Sequence, residues 1–210
     1  MQVLVIANEE LKAELFQGSG TDTLQIEWIS DALSFIPAHP YHACIDLLFE
    51  NSRERIEWLK NSLFELVIVS AVVDTLAQMP ETFVRFNGWH TFLGRDIVEA
   101  SAMDQNTKMK TAAVFDALNK KVEWVPDVAG FITARVVSSI INEAWFALEE
   151  QVSTPGEIDT AMKLGTNYPF GPFEWSERIG LANVLSLLQV LSAKQARYTP
   201  SSLLVKKAST

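Results

Sequence analysis

Residues 2–7 (QVLVIA) form an unbroken apolar run, the pattern of a strand buried on both faces rather than one with a wet side. Asn8 follows as a helix cap, and Glu9 to about Gln17 reads as a helix that Gly18 ends. Short apolar runs recur at 24–29 (LQIEWI), 43–49 (ACIDLLF), 66–72 (LVIVSAV), 82–89 (TFVRFNGW) and 121–125 (KVEWV). Helical patterns at about 52–62 and 104–119 separate some of them. Strands alternating with helices predict an α/β fold, a mostly parallel sheet with helices packed on it.

Past Trp124-Val-Pro-Asp127 the period changes. Ile132, Val136, Ile140 and Ala144 recur at helical spacing between Phe131 and the Glu149-Glu150-Gln151 run, which predicts a helix of about five turns. Thr154-Pro155-Gly156-Glu157 supplies a cap residue, a proline at the first helical position and a glutamate at the third, so a second helix begins there. Gly165 is expected to close it. The loop TNYPFGP follows, and Phe173 to about Gly180, Leu181 to about Ala193 and Pro200 to about Lys207 complete an all-helical module. Two domains are expected, 1–125 and 126–210.

Composition narrows the classes. With 48% hydrophobic and 20% charged residues, the chain resembles an ordinary globular protein in make-up, and one of this length buries roughly 70% of its unfolded surface. A net charge of -9 sets aside nucleic acid, whose binding needs clustered Lys and Arg. No apolar run reaches the roughly 18 residues of a membrane span. The first residues read as a strand entering an acidic helix and not as a cleavable leader, so the cytoplasm is the expected compartment. Cys44, the single cysteine, sits in an apolar run and reads as a buried, inert thiol. His39-Pro-Tyr-His42-Ala-Cys44 has metal-ligand residue types, but no further His or Cys pair completes a tetrahedron, so no metal is expected. The scattered tryptophans read as core or interface anchors.

The stretch DVAGFITARVVSSIINEAWFALEEQVSTPGEIDTAMKLGTNYPFGPFEWSERIGL (127–181) resembles the C-terminal domain of 3-hydroxyacyl-CoA dehydrogenases. That family's pattern runs PGFI-x-NR, then LNEA, then IDxAMKLGxxxPxGPFExxDxxGL. RYTPSSLLVKKA (197–208) resembles its R-Y-x-P-S-x-L-L segment, and VRFNGWHTFLGRDIVEAS (84–101) resembles the last strands of its nucleotide domain. The first 60 residues are similar only in layout. The resemblance implies a shortened Rossmann-like domain followed by a helical domain that dimerises and helps close over an acyl-CoA. Family nucleotide domains are longer than residues 1–125, so crossover units are shortened or missing.

A Rossmann-type NAD site needs glycines between the first strand and helix, so that backbone amides approach the pyrophosphate. Here the turn reads Ala7-Asn8-Glu9-Glu10, and two carboxylates at the helix start repel a phosphate. No residue is therefore assigned to cofactor binding, and NAD is expected only if the family activity is retained. Glu27 and Asp31 read as surface charges, and Gly18-Ser19-Gly20 as a helix end and loop.

In the family reaction a histidine takes the 3-hydroxyl proton while a glutamate orients it, written H-F-x-N-P-x-x-x-x-x-x-V-E. Val98-Glu99 matches the end of this motif, and counting twelve residues back from Glu99 gives Asn87, whose amide cannot titrate. His90 falls on the motif's asparagine, and a shift of three along a strand turns a side chain to the opposite face. Glu99 and His90 are the catalytic candidates. The family's substrate-contacting asparagine corresponds to Ala134, and its serine after the fourth strand to Ser70 or Thr75. Asn87, Ser70 and Phe170-Gly171-Pro172 are the substrate-binding candidates, the last three equally readable as a packing turn. Three readings stand open. The first is a homodimeric, acyl-CoA-binding homologue of fatty-acid metabolism with NAD binding and catalysis lost or impaired. The second is an active oxidoreductase with a rearranged His90/Glu99 site, and the third a pure protein-interaction module.

Overall fold

The computed structural model describes residues 1–17 and 24–209; the Gly18 stop and the Gly18-Ser19-Gly20 loop lie outside the described residues. The apolar runs become strands β1 (Gln2–Ile6), β2 (Gln25–Ile29), β3 (Ala43–Asp46), β4 (Val67–Ser70), β5 (Phe83–Phe86), β6 (Ile97–Ser101) and β7 (Lys121–Trp124). They make one sheet in the order β2-β1-β3-β4-β5-β6-β7. Every neighbouring pair is parallel except the β5–β6 hairpin. β6 is absent from the apolar runs because it opens on an exposed Ile97 and buries Glu99.

Alternation along β1 shows why both faces are buried. Val3 and Val5 point to one side, with Ile45, Ile68, Phe86 and Phe115, while Leu4 and Ile6 point to the other, with Cys44, Val69 and Leu59. Helices α1 (Glu9–Leu15) and α3 (Gln105–Asp116) contribute to the first side and α2 (Arg53–Asn61) to the second. Each starts on an expected kind of cap: Asn8, Ser52 and Asp104 accept the amides of Leu11, Arg55 and Thr107. α1 stops at Leu15, earlier than the expected Gln17. The crossings from β2 to β3 (30–42) and from β4 to β5 (71–82) carry no α-helix, only a 3-10 turn at Leu76–Gln78 in the second. Both are close to the dozen or so residues a parallel crossover needs.

Arg85 is fully buried on β5. It donates to the carbonyls of Ala71 (3.0 Å) and Val128 (3.1 Å) and to Asp127 Oδ1 (2.7 Å), and its guanidinium lies 4.0 Å from the Phe131 ring centroid. Asp127 Oδ2 in turn accepts the Leu76 amide at 2.9 Å. Burial pulls the Arg85 pKa down and the Asp127 carboxylate opposes that pull. These bonds hold residues 127–131 on the sheet, so the compact units are Met1–Phe131 and Ile132–Thr210, with the break after Phe131 where the sequence places it near 126.

The second unit is helical: α4 (Thr133–Glu149), α5 (Pro155–Thr166), α6 (Pro172–Ile179), α7 (Leu181–Ser192) and α8 (Ser202–Ala208). α4 buries Ala134, Val137, Ile141 and Trp145, while Ile132 and Val136 remain exposed. The capping box at Thr154 and Glu157 is present. α5 runs past Gly165 and ends on Asn167, which takes the left-handed conformation at φ 56°. Asn142 ties α4 to the last segment, donating to Thr199 O and accepting the Ser201 amide, both at 2.9 Å. Among the described residues no helix is long and apolar enough to cross a membrane.

Candidate functional site

Parallel α/β sheets present ligands at the carboxyl ends of their strands, and three of the expected residues gather there. Ser70 ends β4 and lies in register with Phe86, the last residue of β5. Asn87 follows at once, its amide donating to Glu99 O at 2.9 Å and its side-chain Nδ2 to Glu99 Oε2 at 3.2 Å. Both residues are buried. Gly88 packs so tightly on Ser70 that a Cβ would stand 2.5 Å from Ser70 Oγ. Asn87 thus stands where the count of twelve puts it, against the carboxylate. An amide donor there holds the glutamate but takes no proton.

His90 lies elsewhere than strand alternation suggests. β5 ends at Phe86, so the rule about opposite faces does not extend to residue 90. The imidazole Nε2 stands 3.5 Å from Glu14 Oε2 on α1. That carboxylate also accepts the amides of Thr91 (3.0 Å) and Gly94 (3.2 Å). Glu14 is a site residue that the sequence does not point to, because it lies far from the motif and carries no local signal. Beyond it, Lys120 Nζ donates to Leu93 O (2.6 Å) and Arg95 O (3.0 Å), with its pKa lowered by burial. Arg95 stacks on Phe92, its pKa also lowered by burial against the pull of Glu99 and Glu14.

At the entrance to α1, Asn8 has ordinary extended backbone and its Oδ1 accepts the Leu11 amide at 2.9 Å. One of the free amides that an anion would use is therefore already satisfied, and Glu9 and Glu10 occupy the same turn. Glu27 accepts the Tyr41 hydroxyl, and burial, then Glu27, pushes that phenol's pKa up. Asp31 accepts the Leu33 amide and the Ser34 hydroxyl. His42 Nδ1 accepts the Gln2 amide, His39 stacks on Tyr41, and burial drives the Cys44 thiol's pKa upward. The Thr75 amide donates to Gln78 Oε1 at 2.9 Å, at the start of the 3-10 turn.

In the helical unit, Ala134 is fully buried in α4. The segment Phe170-Gly171-Pro172 is the entry to α6: Asp159 accepts the amides of Phe173 (2.8 Å) and Glu174 (3.1 Å), and Phe170 lies under Arg178. A Cβ on Gly171 would come within 2.3 Å of the Asp159 carboxyl, so glycine is what lets the cap approach.

Residues 130–210 match the family model described as 3-hydroxyacyl-CoA dehydrogenase, C-terminal domain. A 3-hydroxyadipyl-CoA dehydrogenase of Escherichia coli (strain K12) is 37% identical over 114 residues, covering 53% of this chain and 24% of that protein. A 3-hydroxybutyryl-CoA dehydrogenase of Bradyrhizobium diazoefficiens is 32% identical over 182 residues, 77% of this chain and 62% of that protein. The chain thus spans less than two thirds of the length of these curated relatives. The crystal structure of (S)-3-hydroxybutyryl-CoA dehydrogenase from Ralstonia eutropha superposes with a TM-score of 0.73 at 19% identity, covering 99% of this chain and 93% of that one, a likeness of fold. The fold is accordingly a Rossmann-like, mostly parallel sheet followed by an all-helical domain. Residues 130–210 are thus a 3-hydroxyacyl-CoA dehydrogenase C-terminal domain, and through that helical unit the chain is related to the family.

Proposed function

We propose that this chain is a homodimeric, acyl-CoA-binding member of its family in which NAD binding and hydroxyacyl oxidation are lost or impaired. The observation that carries this is Asn87 hydrogen-bonded to Glu99, an amide in the position of the general base, whose absence alone forfeits about 10² to 10⁴ in rate. Two further features support it. The α1 entrance is capped by its own Asn8 and carries two carboxylates, an arrangement that does not fit a pyrophosphate. Ala134 offers no polar group where the family has its substrate-contacting asparagine.

The dimer is proposed through α4. Ile132 and Val136 are exposed at helical spacing, and the same face lines a cavity of about 560 Å³ with Arg135, Ser139, Glu143 and Arg197. A patch with both charge signs beside an apolar stripe is self-complementary about a twofold axis. The competing reading, an active oxidoreductase working through His90 and Glu99, has the imidazole in its favour. Against it, the carboxylate that His90 meets is Glu14.

Calorimetric titration with acetoacetyl-CoA tests the proposal. Saturable heat, with no oxidation of added NADH, is expected. Heat with turnover supports the oxidoreductase, and the absence of heat supports a pure interaction module.

A further inference from the structure

The turn that leaves β5 holds two costs that the site above does not explain. Thr91 has φ 79°, where a β-branched residue is an outlier. Among the described residues, His90 Nδ1 and Thr91 Oγ1 are buried without a hydrogen-bond partner, which is unfavourable for any polar atom. Against both stands one side chain. Glu14, its carboxylate 11% exposed, accepts two backbone amides of the turn, Thr91 and Gly94, and meets the His90 ring. Gly94 permits the approach, since a Cβ there would lie 2.9 Å from Gln17 Oε1 and 3.5 Å from Glu14 Cγ. Leu93, fully buried, and Lys120, bonded to Leu93 O and Arg95 O, fix the far side of the turn. Gly88 is wedged against Ser70 on the near side, which leaves Trp89–Thr91 as the piece between the two fixed ends. That piece follows Asn87 by one residue, and Asn87 and Glu99 are only 3% and 8% exposed, so a ligand reaches them only if a neighbouring segment moves.

We propose that Trp89–Thr91 is a strap held shut by the Glu14 carboxylate, and that its release opens the Asn87–Glu99 pair. The strain at Thr91 and the unmet polar atoms of His90 and Thr91 favour opening; the charge-assisted bonds to Glu14 oppose it. That the incoming ligand is a CoA thioester rests on the function proposed above, whereas the latch does not.

The test compares the wild-type chain with Glu14→Gln and Glu14→Ala, each checked for folding by circular dichroism. Amide hydrogen exchange is read at Thr91 and Gly94, and diethyl pyrocarbonate modification at His90, with the more exposed His39 as internal reference. Glu14→Ala is expected to speed both exchange and His90 modification by about tenfold or more, because bonds to a charged acceptor are the stronger class, while the core strands keep their protection. Glu14→Gln should fall between, and it decides the matter if the alanine variant does not fold. Wild-type exchange and reactivity in both variants would overturn the latch. Affinity for acetoacetyl-CoA should rise with Glu14→Ala by the factor that the closed state withholds. Binding that is equal in the two proteins overturns the gating role. If neither protein binds the thioester, the acyl-CoA reading falls, and the exchange result decides the latch by itself.

Discussion

Gly171 shows how much a single missing atom can decide. Its φ of -75° suits any residue, so conformation does not demand glycine; the Asp159 carboxyl at 2.3 Å from a would-be Cβ does. Gly171→Ala should lower stability by about 1–3 kcal/mol, the cost of overpacking, and thermal melting checks it; an unchanged midpoint would show that Asp159 moves aside freely. At this scale the sequence is legible wherever a motif fixes spacing. Counting from Glu99 finds Asn87, and the two side chains do meet. Glu14 is not legible, because nothing in Lys12-Ala13-Glu14-Leu15 tells that a helix carboxylate will be received by a turn 77 residues away. Asp159 is hidden for the same reason, so the sequence leaves Phe170-Gly171-Pro172 open between a substrate contact and a packing turn and does not announce the helix entry that Asp159 caps.

Among elements, β5 depends on Arg85, and its neutral replacement is informative. Arg85→Met keeps the bulk but removes the bonds to Ala71 O, Val128 O and Asp127, leaving a carboxylate that is 27% exposed. Breaking a buried pair this way costs about 3 kcal/mol or somewhat more. Urea unfolding should show a lower midpoint, and a midpoint equal to wild type would contradict the role given to the 127–131 anchor. The helix ends of the second unit carry a pH signature. Glu174 is held below its ordinary carboxylate range by Lys163 and then by the Gly171 amide, Glu157 by the Ser153 and Thr154 hydroxyls, and Glu149 by those of Ser202 and Ser201. For a depressed folded pKa, the stabilisation is complete above the unfolded value, about 4.5, and is lost as pH falls through the folded one. Melting temperature should therefore drop on acidification below about pH 4.5, and Glu174→Gln should flatten that slope. An equal slope in the variant would remove Glu174 from the explanation. Capping signals such as Asn8 and Thr154 are readable because the cap and its amide lie three residues apart. β6 is not, because its buried Glu99 and exposed Ile97 reverse the usual apolar pattern.

In the whole molecule, parallel order was readable from apolar runs broken by helical periods, but the sheet's sequence of neighbours and the lone antiparallel pair depend on contacts between distant segments. The position of the break between units depends likewise on Arg85, which holds residues 127–131 to the sheet through bonds that no local pattern announces. The proposed dimer is a property of this scale. Val136 is 52% exposed, so Val136→Glu leaves the fold intact while placing a charge in the apolar stripe of α4. Sedimentation should show a dimer for the wild type and a monomer for the variant; a monomeric wild type would contradict the assembly. The proposed loss of oxidation belongs to the same scale, since it joins the self-capped, acidic α1 entrance to the Asn87 amide held against Glu99. Fluorescence titration with NADH, followed by addition of acetoacetyl-CoA, tests that most directly. No saturable NADH binding at micromolar concentration and no turnover are expected, and saturable binding with oxidation of NADH on adding the thioester would contradict the account.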